Sequence, residues 1–306
     1  MNWQKKGLIY SPPFDNSWKD NSALTPTPIA IDEDTIRIFC GFRNSKGVSR
    51  IGYVDVNSNN PSEIKKVSNE SILDIGNLGN FDDNGVILGD VIRLGNDILM
   101  YYVGFQLVEN VKFLAYSGLA ISKDNGNSFE RYQKTPILDR SDEALFIRAI
   151  HSITYENGLF KIWYATGSGW ELIDGKYYPQ YDINYIESNS AFEFPKKGTK
   201  CIINNPENKE YRIGRPRVYK SETGSYIMNY TYGTTDGRYQ AGQAVSKDGI
   251  QWERRDEDFE LKPSETGWDS MHLCYPALIS VKNKTYLFYN GNNMGYEGFG
   301  YAELLK

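Results

Sequence analysis

Short acidic stretches, several carrying an aromatic residue, recur along the chain: Phe14–Asp20, Asn80–Asp83, Arg140–Glu143, Glu207–Glu210 and Gly267–His272. Carboxylates and amides make paired hydrogen bonds to sugar hydroxyls, and aromatic faces pack on sugar C–H surfaces. Such a mixture suits a carbohydrate. From these stretches and the apolar runs that follow them, the candidate contacts are Trp18, Asp20, Arg43, Asp83, Asp90, Glu143, Trp170, Asp269, Tyr275, Asn290 and Asn292. A second set is basic: Arg148, His151, Arg215, Arg217 and His272, which takes in both histidines of the chain. Guanidinium forks match the paired oxygens of a carboxylate or phosphate. This set therefore suits a uronate, an ulosonate, a sugar phosphate or inorganic phosphate. The competing reading is mutual neutralisation, with these cations paired to the nearby carboxylates. Strand alternation puts Arg215 and Arg217 on one face but Arg148 and His151 on opposite faces. All of them converge only where a bulge intervenes.

The elements that must position these residues are written as a repeat. Aromatic strands ending near Gly recur at Ile36–Phe42, Ile98–Gly104, Phe160–Gly167, Tyr226–Gly233 and Thr285–Gly291, about 60 residues apart. That period fits a four-stranded propeller blade with insertions. Ser122–Phe129 and Ser246–Trp252 are Ser-Lys-Asp turns leading into an outer strand, where the Asp side chain caps backbone amides. The last copy is one strand short, and the segment Met1–Ser11 has the pattern of that missing outer strand. The expectation is all-β: a single five-bladed β-propeller over residues 1–306, with the ring closed by the N-terminal strand completing the last blade. In such a ring the innermost strands, the loops entering them and the loops after the second strands share one funnel.

Composition narrows the partners. A net charge of −5 without a basic run argues against nucleic acid. No apolar stretch reaches membrane-spanning length and the N-terminal residues lack an apolar leader, which gives a cytoplasmic expectation. The three cysteines, Cys40, Cys201 and Cys274, form no CxxC pair, so neither a disulfide framework nor a zinc site is expected. No metal or other cofactor is called for, and a Ca²⁺ in the channel is not readable from the residues.

The whole chain resembles the five-bladed propeller glycoside hydrolases, the arabinanase, xylosidase and levansucrase superfamily with its related mannosyl-phosphorylases. The stretches Gly79–Val86, Ser117–Asp124, Arg215-Pro216, Trp268–Pro276 and Tyr289–Gly300 look like a glycosidase-like subgroup often encoded with surface-polysaccharide functions. Arabinanase-like enzymes use three carboxylates on the inner regions of the first three blades: a base or nucleophile, a positioning Asp and a general-acid Glu. One protonates the leaving oxygen while another activates water or attacks carbon. By position the resemblance implies Asp20 or Asp15, Asp83 or Asp90, and Glu143. Asp269 is an extra in the fifth blade that shares with Asp83 the sharpest motif match. The implied activity is cleavage of a small glycan, including an acidic one. Phosphorolysis or action on phosphorylated or nucleotide-linked sugars, and glycan binding without cleavage, remain open.

Overall fold

The computed structural model describes residues 2–221 and 223–305, so Met1 of the expected closing strand lies outside the described residues. The fold is nearly all β. The strands are β1 (Asn2–Tyr10), β2 (Asn21–Asp32), β3 (Thr35–Arg43), β4 (Ser49–Asn57), β5 (Ile64–Val67), β6 (Val86–Leu94), β7 (Asp97–Gln106), β8 (Leu114–Ser122), β9 (Glu130–Arg131) and β10 (Ile147–Glu156). They continue as β11 (Leu159–Ile173), β12 (Lys176–Ser188), β13 (Thr199–Ile202), β14 (Glu210–Lys220), β15 (Tyr226–Thr234), β16 (Tyr239–Ser246), β17 (Glu253–Arg254), β18 (Cys274–Val281), β19 (Lys284–Asn290) and β20 (Phe299–Leu305).

Among the described residues, consecutive strands pair antiparallel as meanders β2–β5, β6–β9, β10–β13, β14–β17 and β18–β20. β1 pairs antiparallel with β20, from Asn2 opposite Leu305 to Tyr10 opposite Phe299. Short parallel contacts of β10 with β8 and of β12 with β14 join the three middle meanders into one sheet. The sheets holding β1 and β2 stand apart from it, and no single hydrogen-bonded sheet closes on itself.

Side chains do the remaining joining. One apolar cluster unites Ile36, Phe42 and Val54 with Tyr286, Phe288 and Phe299, so the last meander packs against the first. Comparable clusters pack β3 and β4 against β7, β7 against β10 and β11, and β11 and β12 against β15. Each such side chain contributes about 1.5–3 kcal/mol on burial.

Every inner strand is irregular at the same place. The pairing register slips at Thr25-Pro26 in β2, Gly89 in β6, His151 in β10, Arg215-Pro216 in β14 and Tyr275-Pro276 in β18. These β-bulges insert residues that have no ladder partner and re-aim their side chains. Thr25, Arg215 and Tyr275 take left-handed φ of 53°, 55° and 56°, conformations that cost a non-glycine residue about 1–3 kcal/mol. The slip between Ile150 and Ser152 falls on His151 and re-aims it, while Arg148 keeps its ladder place opposite Thr166.

Candidate functional site

The second strand of four meanders carries a tyrosine whose hydroxyl meets a carboxylate. Tyr102 donates to Asp82 at 3.1 Å, Tyr164 to Glu143 at 2.6 Å and Tyr289 to Asp269 at 3.0 Å, and Tyr230 donates to Asp256. Each carboxylate also meets a cation: Arg131 at 2.8 Å, Arg148 at 3.5 Å, Lys5 at 2.7 Å and Arg254 at 2.6 Å, respectively. Three of these tyrosines stand opposite a glycine, Gly118, Gly242 or Gly300. A Cβ on Gly118 would lie 2.3 Å from Tyr102 Cζ, so the ring lies across the space a side chain would need. In β3 the matching position is Cys40, which has no such hydroxyl to offer. These clamps tie the other four meanders together.

Two of the carboxylates expected to do chemistry are absorbed by them. Asp269 is buried between Lys5 and Tyr289, and Glu143 also accepts from Asn184 Nδ2 and the Gly198 amide. The other two cap turns. Asp20 accepts from the Asn16 amide, and Asp83 accepts from the Gly79 amide at 2.9 Å. Asp15 likewise accepts from the Ser17 amide. The structure brings none of Asp15, Asp20, Asp83, Glu143 and Asp269 to the wall of the central cavity.

That cavity, of about 330 Å³, is lined instead by cations and aromatic rings. Arg43 reaches it from the end of β3, exposed Lys112 from the loop before β8, and Arg212 and Arg215 from β14. Tyr178 and Tyr181 of β12, Tyr239 of β16 and Tyr275 of β18 share the wall with Phe105 and Phe113. No Asp or Glu among the described residues lines it. Among the described residues none of the four cations forms an ion pair. The Nε atoms of Arg43 and Arg212 are buried without a hydrogen-bond partner.

The electrostatics follow. Burial lowers the pKa of Arg43 and of Arg215. Partial burial, then the charges of Arg212, Arg43 and Lys176, hold the Lys112 ammonium below the usual lysine range. The Arg212 guanidinium sits 4.5 Å from the centre of the Tyr239 ring, whose hydroxyl is 3.0 Å from that of Tyr275. Burial pushes the Tyr275 phenol up to about 12, which keeps it protonated and able to donate.

At the inner end the cavity shares Phe105, Phe113, Tyr181 and Arg215 with a smaller chamber of about 80 Å³ that contains His151. Arg215 Nη1 lies 3.2 Å from His151 Nδ1 and also donates to the Leu88 carbonyl. Arginine can only donate, so Nδ1 accepts and the imidazole carries its proton on Nε2. Burial, with help from the charges of Arg215 and Arg217, holds the imidazolium pKa far below the ordinary histidine value. Asp90 pairs with Arg217 and accepts from the Val91 and Ile153 amides, so this carboxylate is neutralised within the channel. Burial raises its pKa against the pull of Arg217.

The remaining expected contacts lie elsewhere. Trp18 donates to the Asn69 carbonyl and packs on Phe42. Arg148 is enclosed by Glu143 and the carbonyls of Asp139 and Pro195. Trp170 packs on Phe113 and Phe146, one layer behind the cavity wall. His272 accepts from the Asn293 amide. Asn290 binds the Thr25 amide and the Ala23 and Gly298 carbonyls, fastening β19 to β2. Asn292 binds backbone of the loop at 267–272. Of the sequence candidates, the structure brings together Arg43, His151, Arg215 and Tyr275. It adds Lys112, Arg212, Tyr178, Tyr181 and Tyr239, which sequence reasoning missed.

No family model matches the chain. An uncharacterized protein of Mycobacterium tuberculosis is 29% identical over 304 residues, covering 99% of both chains. A glycosyl hydrolase from Bacteroides ovatus superposes with a TM-score of 0.73 at 12% identity, covering 99% of this chain and 93% of that one. A thermostable family-43 glycoside hydrolase gives 0.70 at 17% identity over 97% and 93% of the two chains. The chain has the fold of the propeller glycoside hydrolases. Another structure of this fold comes from the GH130 family of mannoside phosphorylases, which contains hydrolases of β-1,2 mannosidic linkages. It matches with a TM-score of 0.70 at 14% identity over 99% and 93%. No helix of the described residues is long and apolar enough to cross a membrane.

Proposed function

We propose that this chain is a glycosidase-like protein that takes an anionic sugar into its central cavity, the anion being a phosphate or a sugar carboxylate. One observation carries the reading: Arg43, Lys112, Arg212 and Arg215 face the cavity without a carboxylate among them. Leaving charges unneutralised beside buried surface is costly, so a site that keeps them is built for a partner of opposite sign. Guanidinium forks match phosphate or carboxylate oxygens, and the tyrosine rings offer faces to a sugar. The shared fold supports the glycosidase-like part of the reading. A single five-bladed domain over residues 1–306, closed by β1 on β20, belongs to the same proposal, as does a cytoplasmic role in polysaccharide metabolism.

A pair of carboxylates flanking a glycosidic bond is the usual machinery of hydrolysis. This cavity wall holds no such pair, so cleavage here is better served by phosphate as the attacking group, with a neutral tyrosine hydroxyl as proton donor. Binding without cleavage is the second reading. It is favoured by the full pairing of Glu143, Asp269 and Asp90.

The test is calorimetry and turnover with inorganic phosphate, hexose phosphates, uronates and matched neutral sugars at low salt. Anionic members are expected to bind and neutral ones not to bind. Equal affinity for neutral sugars would sink the proposal. With oligosaccharides and aryl glycosides supplied as the bond to be broken, release of sugar phosphate and the protonated leaving alcohol only when phosphate is added would select phosphorolysis over binding alone.

A further inference from the structure

The small chamber behind Arg215 differs in character from the cavity it opens from. Its own walls are Val103, Ala115, Ile147, Ala149 and Ala165, all buried and apolar. A sugar hydroxyl pushed among these side chains would lose its water partners with nothing in return. The bulge in β10 nevertheless delivers a polar group to this chamber, His151, at 4% exposure. With Nδ1 engaged by Arg215, the neutral ring keeps Nε2–H as its donor, and His151 is part of the chamber lining. A ligand acceptor placed in the chamber could take this hydrogen bond in place of water.

The ligand group that fits must therefore be compact, end in an apolar atom and carry one acceptor. A bare methyl, as on a deoxysugar, would leave Nε2–H unpaired. A hydroxymethyl would bury a hydroxyl against alanines. An acetamido group meets both demands, with its methyl among the three alanines and its carbonyl oxygen on Nε2–H. The chamber of about 80 Å³ also suits it.

We propose that this chamber is an N-acetyl pocket and that the ligand of the central cavity is an anionic acetamido sugar. The proposal rests on the anionic-sugar reading above and adds the substituent that the protein selects. The anion lies against Arg43, Arg212 and Arg215, the ring against Tyr239 and Tyr275, and the acetamido arm passes Arg215 to reach His151.

The experiment uses the full chain and three matched pairs: the 1-phosphates of N-acetylglucosamine, N-acetylgalactosamine and N-acetylmannosamine, each with its parent hexose 1-phosphate. Inorganic phosphate is measured alongside, by calorimetry and thermal shift. The expected result is a preference of tenfold or more for the acetamido member in at least one pair. Ala149→Val, which narrows the chamber, should erase that preference; Ala115→Val serves as a second variant if the first folds poorly. His151→Phe, which removes the donor, should weaken the acetamido member more than its parent. If phosphate binds and no pair shows a preference, the pocket assignment is overturned while the anion reading stands. If phosphate, the sugar phosphates and the uronates all fail to bind, both fall together. A preference that survives both valine variants also overturns the pocket.

Discussion

Lys5 Nζ lies 2.7 Å from Asp269 Oδ2, joining β1 to the loop ahead of β18 across 264 residues of chain. Tyr289 holds the same oxygen at 3.0 Å, so the carboxylate is a fastening between the first strand and the last meander. Asp269→Asn is therefore expected to act on stability. Losing the charge from this buried site should cost about 1–3 kcal/mol, seen as a lower denaturant midpoint. Ligand affinity measured well below the transition should stay within a factor of two. A stable variant with abolished binding would return Asp269 to the site.

Arg43 carries an unpaired buried Nε and no carboxylate partner. Replacing it with Met removes that uncompensated charge and keeps the side-chain volume. The expected outcome is unchanged or higher stability, by up to about 2 kcal/mol, with phosphate binding weakened tenfold or more. Chemical denaturation and calorimetry on the same preparation check both halves. A loss of stability would mean that Arg43 serves the fold.

The buried His151 gives a pH signature. Its folded pKa lies far below the unfolded value of about 6.5, so between those two values the unfolded chain binds more protons. Stability is then fully present above about pH 6.5 and falls as the pH drops below it. His272, whose pKa burial also lowers, adds in the same direction but is less enclosed. Asp90, with a raised pKa, works oppositely at lower pH. Thermal unfolding between pH 5.5 and 7.5 should show the fall, and His151→Asn should remove most of it. An unchanged slope in that variant would disprove the assignment.

Gly118 faces the Tyr102 ring so closely that a Cβ would sit 2.3 Å from Cζ. Gly118→Ala must push the ring away from Asp82 and loosen Arg131 as well. A loss of at least about 2 kcal/mol is expected, as for other overpacked or unsatisfied core sites. The double variant Gly118→Ala, Tyr102→Phe should lose less than the sum of the single changes.

The strand repeat was legible because each second strand is a dense aromatic run, and the N-terminal segment was legible as a partner for β20. The carboxylates lie apart from the cavity wall. Glu143 and Asp269 have the residue type and loop position of acid–base groups, but tyrosines on the adjacent strands claim them. Nothing in a one-dimensional pattern separates those uses. His151 could be found because its parity conflict with Arg148 demanded a bulge, and Arg215 because it stands in the basic inner-strand set just before Pro216. Arg212 was hidden because the bulge in β14 separates it from Arg215 in register. Lys112, Tyr178 and Tyr181 sit where a loop meets the long β11–β12 hairpin, an extension beyond the repeat.

The recurring slip in the inner strands has a consequence for how such a molecule changes over time. Thr25, Gly89, His151, Arg215 and Tyr275 stand outside the ladders that define their sheets. Pairing elsewhere in each strand neither reads nor constrains what those positions carry, except at Gly89, where the Ile150 and Tyr101 carbonyls leave no room. The other four answer to the cavity and to their own backbone, left-handed at Thr25, Arg215 and Tyr275, rather than to the ladders. Exchanging them should redirect what the protein recognises while its scaffold stays put, so new specificities can arise here without relearning how to fold.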